Sequence, residues 1–387
     1  MNEPGYLFAD PKFSAEEYQQ RLDRVRKEMK RDDVEVLVLF SPRNFYYLTG
    51  YDSGATYYQS LIITPSEMIL FLREMEQVIG RVTTGSGNIT IWQDHLDPTN
   101  ALVSFLKQKG WFDQRIGVEM TSPSLSARDY LKLAKALGRA PLDGTACVDR
   151  VRLIKSDREI HYIRKASEFT TVGVQAAMES LAEGKSENEV AADLYSAMVK
   201  AGSEALPNGP TVSSGPMSGV AHAMFHRYVL KRGDAVLFEF SGVYNSYPCP
   251  IMRCAAILEA SSRLRKMADA CKGGLEAAIE ATRAGVTSGS VDEACRLYIE
   301  RAGFEPMFRK RTGYSVGIYK PRWSEPDVID IKRDDPRILE EGMVFHMPPA
   351  LRDPERCGVG FSETVRVTKT GCEILTNAPR KLVITSR

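Results

Sequence analysis

The sequence predicts an α+β protein of two domains. A mixed α/β domain is expected over residues 1–149, followed over residues 150–387 by long helices packed on a largely antiparallel sheet. The length of 387 residues exceeds what one hydrophobic core usually spans. Capping boxes, in which Ser is followed three residues later by Glu, indicate where helices begin. Short apolar runs between turn residues predict the strands.

Helical and strand patterns alternate in the first domain. Ser14 and Glu17 form a capping box, and the apolar stripe behind it predicts a helix over residues 14–30. The other predicted elements are strands over residues 34–40, 61–64, 68–72, 89–92 and 116–120, and helices near residues 101–109 and 127–137. This mixture is typical of a mixed α/β domain.

The second domain begins with long helices. Three further capping boxes each open a helical pattern of several turns, at Ser156 and Glu159, Ser186 and Glu189, and Ser290 and Glu293. Strands are predicted over residues 235–240, 254–258, 344–347, 359–367 and 373–375. Long helices on one largely antiparallel sheet form an α+β architecture, distinct from a doubly wound parallel sheet.

Charge and cysteine content exclude several classes of function. Lys and Arg number 51 against 50 Asp and Glu and are not clustered, so no basic face is available for nucleic acid. The seven Cys form no C-x-x-C pair, which indicates reduced thiols. The first 13 residues lack the pattern of a signal peptide, and no apolar run approaches about 18 residues. We therefore expect a cytoplasmic protein with neither nucleic acid nor a membrane as partner.

Glu239 is the most informative single residue. In the apolar run 235–240, the strand period of two puts its carboxylate on the same face as Ala235 and Leu237. Burying an unpaired carboxylate on such a strand is costly. Two interpretations stay open: a structural ion pair, for example with Arg253, or a carboxylate retained for function.

Three histidines are also candidates. His346 lies in the apolar run 343–347, where it is either a hydrogen-bonded core residue or a catalytic group. His222 and His226 are four residues apart, the helical spacing of metal ligands. They lack an H-E-x-x-H context and precede a strand, so a zinc site is only weakly supported.

Polar residues in the C-terminal part complete the candidates. Glu363 shares a strand face with Phe361 and Val365, which predicts a buried carboxylate, and Ser362 points the other way. Tyr314 lies in an R-T-G-Y loop that places its phenol either in a pocket or on the surface. The chain has no G-x-S-x-G, P-loop or G-x-G-x-x-G motif.

Five segments, spread over nearly the whole chain, share a common pattern. They are SPRNFYYLTGY at 41–51, RLIKSDRE at 152–159, GDAVLFE at 233–239, RTGYSVG at 311–317 and GMVF at 342–345. In this order they resemble the creatinase/prolidase family. The resemblance implies a creatinase-type N-terminal domain and a pita-bread catalytic domain. It also implies a homodimer in which the N-terminal domain of one subunit helps to close the active site of the other.

Departures from the family pattern bear on function. Metallopeptidases of this family bind two metal ions through two Asp, one His and two Glu. The corresponding positions here are Glu239, Pro250, Tyr314, Pro348 and Ser362. Proline offers no side-chain ligand, and Tyr and Ser are poor ligands at neutral pH. We therefore expect no metal and no other cofactor.

The pattern instead resembles the metal-free branch of the family that contains the ectoine hydrolases, which open a cyclic amidine. The resemblance implies that Glu239 attacks the amidine carbon, and a carboxylate suits this role because the amidinium is cationic. His346, on the same strand face as Pro348, and His222 are the candidates for proton transfer. The candidate substrate-binding residues are Tyr314, Tyr51 from the Tyr-rich segment 46–58, Tyr247 and Ser362. Glu363 is expected to be structural.

The leading hypothesis is thus a metal-independent hydrolase of a C–N bond in a small zwitterionic amidine. One alternative is a creatinase-like amidinohydrolase that acts on another guanidino or amidino compound, although creatinase keeps a Glu where this chain has Pro348. The other alternative is an Xaa-Pro peptidase-like pseudoenzyme that serves as a binding module.

Overall fold

The computed structural model describes residues 12–55, 58–84, 88–206, 208–325, 328–354 and 356–386. The chain forms two compact units, Met1–Arg152 and Leu153–Arg387, which divide three residues beyond the boundary expected from the sequence. Most of the N-terminal segment that bears on a signal peptide lies outside the described residues, as does Tyr57 of the Tyr-rich segment.

The first unit is built on a six-stranded mixed sheet. Its strands are β1 Val36–Leu39, β2 Ser60–Ile63, β3 Met68–Arg73, β4 Ile89–Trp92, β5 Ile116–Val118 and β6 Leu142–Asp143, in the order β4-β3-β2-β1-β5-β6. Its helices are α1 Ala15–Arg31, α2 Pro42–Thr49, α3 Gln77–Thr84, α4 Pro98–Gln108, α5 Ala127–Leu137 and α6 Ala146–Leu153, the last of which leads into the second unit. β2 pairs antiparallel with β1 and β3, whereas the other pairs are parallel, so the predicted mixed α/β character is confirmed.

Two long helices open the second unit, as predicted: α7 Asp157–Ser180 and α8 Glu187–Lys200. Two more follow later in the chain, α9 Ser262–Ala281 and α10 Ser288–Arg301. The capping boxes that begin with Ser156 and Ser186 are confirmed. The one assigned to Ser290 is wrong, because the hydroxyl of Thr287 accepts the Ser290 N–H and the helix begins at Ser288. The hydroxyls of Thr287 and Ser290 both precede the apolar stripe of this helix, so the sequence pattern alone did not show which of them caps it.

The strands of the second unit form three sheets, so the single sheet expected from the sequence is wrong. The strands are β7 Thr211–Ser214, β8 Ala235–Tyr244, β9 Tyr247–Ala256, β10 Gly313–Ser315, β11 Asp330–Ile331, β12 Val344–Met347, β13 Ala350–Asp353, β14 Cys357–Gly360, β15 Glu363–Val367, β16 Cys372–Ile374 and β17 Val383–Ile384. Their orders are β11-β10-β12-β15-β16, β17-β9-β8-β7 and β13-β14. The apolar run 359–367 is interrupted after Gly360, so its two halves pair with different partners.

The hairpin of β8 and β9 is the framework that carries Glu239. Ten residue pairs join the two strands, and Glu239 stands opposite Met252. The sequence pattern found only the end of β9, because Pro248 and Pro250 weaken the strand signal. In β8, the side chains of Ala235 and Leu237 belong to one apolar cluster. Those of Val236, Phe238 and Phe240 belong to another. By this alternation Glu239 lies on the face of Ala235 and Leu237, as predicted.

A buried ion pair joins β9 to β15. Arg253 and Glu363 are 1% and 2% exposed, and their charged groups are 2.9 Å apart. Arg253 also donates to four backbone carbonyl oxygens, including those of Met252 at 2.9 Å and Ser362 at 2.6 Å. The suggested pairing of Arg253 with Glu239 is therefore wrong, because the guanidinium is taken up by Glu363 and these carbonyls.

Helices long and apolar enough to cross a membrane are absent from the described part of the chain.

The ion pair generates a stability prediction. Replacing Arg253 by Met removes the donor of five buried hydrogen bonds and leaves Glu363 only Arg380, at 3.3 Å, as a cationic partner, so we expect a loss of about 3 kcal/mol or more in the free energy of unfolding. Urea denaturation measures this loss. The exposed Arg265 is the matched control, and Arg265→Met should change the free energy by less than about 0.5 kcal/mol. Equal effects of the two substitutions would contradict the structural role of Arg253.

Candidate active site

Three polar side chains of the second unit form one hydrogen-bonded row. Antiparallel pairing puts Tyr314 of β10 opposite His346 of β12. The Tyr314 hydroxyl is 2.8 Å from His346 Nδ1, and His346 Nε2 is 2.7 Å from Ser362 Oγ. Ser362 Oγ also accepts the backbone N–H of Met252, at 2.5 Å. Since Met252 stands opposite Glu239, this bond places the row next to the candidate nucleophile.

Tyr314 connects the row to Glu239. Its hydroxyl lies close enough to the Glu239 carboxylate to be influenced by its negative charge, and it accepts the Trp323 indole N–H at 3.0 Å. Burial, reinforced by the negative charge of Glu239, raises the pKa of Tyr314 well above its usual value near 10. The phenol therefore stays protonated and is a proton donor close to Glu239.

His346 is neutral in the folded protein. The side chain is fully buried, and burial together with the charges of Lys310 and Arg253 holds its pKa well below the usual 6.5. A neutral imidazole carries one N–H, so one ring nitrogen donates and the other accepts. Because each nitrogen faces a hydroxyl, both tautomers satisfy the ring. Tyr314 stands between His346 and Glu239, so His346 acts on Glu239 through Tyr314.

Cationic side chains surround Glu239. Burial lowers the pKa of Lys310 and that of Arg352, and in both cases the charge of Glu239 opposes the shift. The guanidinium of Arg311 lies 4.9 Å from the centre of the Tyr314 ring, and its Nε is 3.1 Å from Asp330. The sequence analysis missed Lys310 and Arg352. The one available signal was that Lys310 directly precedes the R-T-G-Y segment, whereas Arg352 lies outside every strand expected from the sequence.

Two of the tyrosines expected to bind substrate lie elsewhere. Tyr247 donates its hydroxyl to Glu159 at 2.9 Å. It stands five residue pairs along the hairpin from Glu239, which corresponds to about 16 Å at 3.3 Å per residue. The Tyr51 hydroxyl is bound within the first unit, 2.7 Å from Gln59 and 3.0 Å from Glu76. These contacts do not test a contribution of Tyr51 to a partner subunit, which stays a prediction.

The two histidines of the loop before β8 are exposed. His222 has a backbone φ of 60° and makes no hydrogen bond or ion pair with any other described residue. His226 Nδ1 lies 3.1 Å from the Met224 carbonyl oxygen. The structure therefore does not join these two residues into a site, and a catalytic role of His222 remains a prediction.

The donor set near Glu239 does not fit a pair of metal ions. Glu239 is the one carboxylate among the five family ligand positions, and two of the others are prolines. Tyr314 keeps its proton, and Ser362 Oγ is engaged by a backbone N–H and by His346. Among the described residues no group of three or more His, Cys, Asp or Glu is arranged to hold a metal ion.

Comparisons with known families give two matches that together span most of the chain. Residues 21–154 match the creatinase/prolidase N-terminal domain, and residues 161–369 match metallopeptidase family M24. The dipeptidase PepE of Mycobacterium ulcerans superimposes with a TM-score of 0.84 at 26% identity, over 96% of this chain and 99% of that chain. The predicted order of a creatinase-type domain and a pita-bread catalytic domain is thereby confirmed.

Individual relatives differ in their stated activities. The chain is 33% identical to an uncharacterized hydrolase/peptidase of Sinorhizobium fredii, over 96% of this chain and 97% of the relative. It is 28% identical to the ectoine hydrolase of Halomonas elongata, over 96% and 98%. It is 26% identical to the Xaa-Pro dipeptidase of Pyrococcus furiosus, over 94% and 99%. Sequence similarity alone thus does not separate amidine from peptide substrates.

The buried, neutral His346 predicts a pH dependence of stability. Its folded pKa lies below the unfolded value near 6.5. Below pH 6.5 the unfolded chain takes up a proton that the folded chain does not, so this contribution to stability is lost as the pH falls. We expect the difference in unfolding free energy between the wild type and His346→Gln to shrink by about 1.4 kcal/mol between pH 7.5 and 5.5.

Guanidinium denaturation at the two pH values measures this difference. The exposed His95 is the control, and His95→Gln should differ from the wild type by the same amount at both pH values. A difference for His346→Gln that does not change with pH would contradict a neutral His346.

Proposed function

Because this chain belongs to metallopeptidase family M24, we infer that it is a hydrolase, and we propose that it hydrolyses a C–N bond of a small zwitterionic cyclic amidine without a metal ion. The observation that carries the proposal is the replacement of a five-residue ligand set by one carboxylate, Glu239, beside the protonated phenol of Tyr314. The similarity to an ectoine hydrolase supports ectoine, or a close relative, as the substrate.

Glu239 and Tyr314 suit the two needs of amidine hydrolysis. An amidinium is a planar cation with an electrophilic central carbon, so a carboxylate both attracts it and attacks it. The departing nitrogen must gain a proton as its bond to carbon breaks. The Tyr314 hydroxyl lies next to Glu239 and holds such a proton.

The proposed reaction has two steps. In the first, a Glu239 carboxylate oxygen adds to the amidine carbon, the C=N electron pair moves to nitrogen, and one C–N bond of the ring then breaks. The departing amine takes a proton from Tyr314, which leaves an imidate ester on Glu239. In the second, water adds to the same carbon and the bond to Glu239 breaks. One proton of the water restores the Tyr314 phenol, and the other goes to the departed amine, which becomes an ammonium group. The product is an amide with a free ammonium group, and Glu239 is again a carboxylate.

His346 is a positioning residue in this scheme. It contacts Tyr314 and Ser362 and keeps the phenol oriented, and it touches the substrate only through Tyr314. His222 stays the alternative for proton transfer from the loop before β8. The predicted homodimer with a shared active site is part of the proposal.

Replacing Glu239 by Gln tests the nucleophile. We expect turnover of ectoine to fall by about 10⁴-fold or more, because the covalent step is lost. The melting temperature should be almost unchanged, because Arg253 pairs with Glu363 rather than with Glu239. Glu259→Gln, at an exposed residue, is the control and should keep full activity. A Glu239→Gln protein that melts early yet keeps normal turnover per folded molecule would rule out the nucleophile.

Metal removal tests the chemistry. We expect protein treated with EDTA to keep its activity on ectoine, and elemental analysis to find no stoichiometric transition metal, because the donor set around Glu239 does not fit one. Mn²⁺ or Co²⁺ added back should produce no cleavage of an Xaa-Pro dipeptide. Metal-dependent dipeptide cleavage would favour the peptidase alternative. Turnover of creatine would favour the creatinase-like alternative, and binding of ectoine without turnover would favour the binding module.

A further inference from the structure

A cavity of about 250 Å³ in the second unit has three cationic residues in an otherwise largely apolar wall. One of them, Arg309, is exposed, and its Nε donates to the Pro306 carbonyl oxygen at 3.0 Å. The other two are Lys310 and Arg352. Much of the remaining wall is apolar, including Val220, Ala221, Met307 and Ala350. Ala350 of the wall pairs with Gly360, the Met252 side chain packs against Gly360, and Met252 stands opposite Glu239, so the cavity lies on the side of the hairpin that carries the candidate nucleophile.

Lys310 and Arg352 both have donors to spare. Arg352 uses Nη1 to hold the carbonyl oxygens of Ser218 and Val220, each at 2.9 Å. Its Nε and Nη2 make no hydrogen bond to any described residue, and neither does the Lys310 ammonium group. Partly buried charged donors without protein acceptors are expected to bind an anion or water.

The wall that holds Arg352 is rigid. Ser218 Oγ accepts the Gly358 N–H at 2.8 Å, which fastens the loop before β8 to β14. A Cβ at Gly219 would come within 2.1 Å of the Asp353 carbonyl oxygen, so the loop lies directly against β13. Arg352 is thus held by two carbonyls on a fixed loop. A side chain ordered before binding loses little conformational entropy when a ligand arrives.

The charges near Glu239 favour some amidines over others as substrates. Lys310 and Arg352 together outweigh the single negative charge of Glu239. A plain amidinium would add a further positive charge and be repelled, whereas a carboxylate on the same molecule would compensate for it. The site is therefore suited to a zwitterion whose two charged groups are close together.

We propose that Lys310 and Arg352 form a carboxylate subsite, which binds the acid group of a zwitterionic amidine and thereby sets the amidine carbon over Glu239. This inference rests on the proposed function for the identity of the substrate. The rival is that Lys310 and Arg352 serve only as counterions of Glu239.

A pair of substrates separates the two roles. Ectoine carries the carboxylate, and 2-methyl-1,4,5,6-tetrahydropyrimidine is the same cyclic amidine without it. We expect Lys310→Gln and Arg352→Gln each to lower kcat/KM for ectoine by about 10- to 100-fold, mainly through KM, since each removes a charged hydrogen bond to the carboxylate. The same variants should not lower kcat/KM for the decarboxylated compound, and they should raise it to the extent that the removed charge repelled the amidinium. Equal losses on both compounds would overturn the subsite in favour of the counterion role.

Control variants keep the result interpretable. Lys266→Gln removes one exposed positive charge from α9 and should leave both substrates unaffected. Arg352→Gln also breaks two bonds to the loop, so its melting temperature is measured alongside that of Arg352→Lys, which keeps the charge. Lys310→Gln breaks no protein hydrogen bond and tests the subsite without that complication.

Binding of a simple carboxylate distinguishes failure of the subsite from failure of the proposed function. Sodium propionate is titrated into the wild type, Lys266→Gln, Lys310→Gln and Arg352→Gln and followed by ligand-observed NMR. We expect saturable binding that weakens about 10-fold or more in the last two proteins only. Such binding without any amidine turnover would support the subsite and refute the proposed function. If the protein turns over an amidine but does not bind propionate, or binds it equally well in all four proteins, the subsite is refuted and the proposed function stands.

Discussion

The buried guanidinium of Arg253 is the interaction on which the candidate site depends. Its five hydrogen bonds engage Glu363 and four backbone carbonyls, and together they join β9, β15 and the segment before β17. A charge without partners at this depth would be strongly destabilising, so these segments are held in one arrangement. Ser362 and Met252, which Arg253 contacts through their carbonyl oxygens, are the residues whose mutual bond sets the polar row beside Glu239.

Burial also decides the protonation states of the row. His346 is neutral and Tyr314 is protonated, because neither charged form is solvated there. Lys310 and Arg352 are the positive charges next to Glu239. The resulting combination of one carboxylate, one phenol and two cations is matched to a ligand that carries both signs of charge.

In the proposed function, the same fold would carry out different chemistry at this place. The chain belongs to a metallopeptidase family and superimposes on a dipeptidase over nearly its full length. Of the five positions that the family resemblance assigns to metal ligands, four carry Pro, Tyr or Ser here. In the proposed function, these strands would align a nucleophile with a proton donor.

The sequence by itself determined the local features of this protein. These features are the capping at Ser156 and Ser186 and the face of β8 that bears Glu239. They depend on residues that are close along the chain, where helix and strand periodicity decide the outcome. The family pattern added the order of the two domains. Only the tertiary structure decided that Arg253 pairs with Glu363, that Tyr247 lies far along the hairpin from Glu239, and that Lys310 and Arg352 meet at one cavity. These relations join residues that are distant in the chain, and they depend on which strands pair and in what register, which no local periodicity specifies.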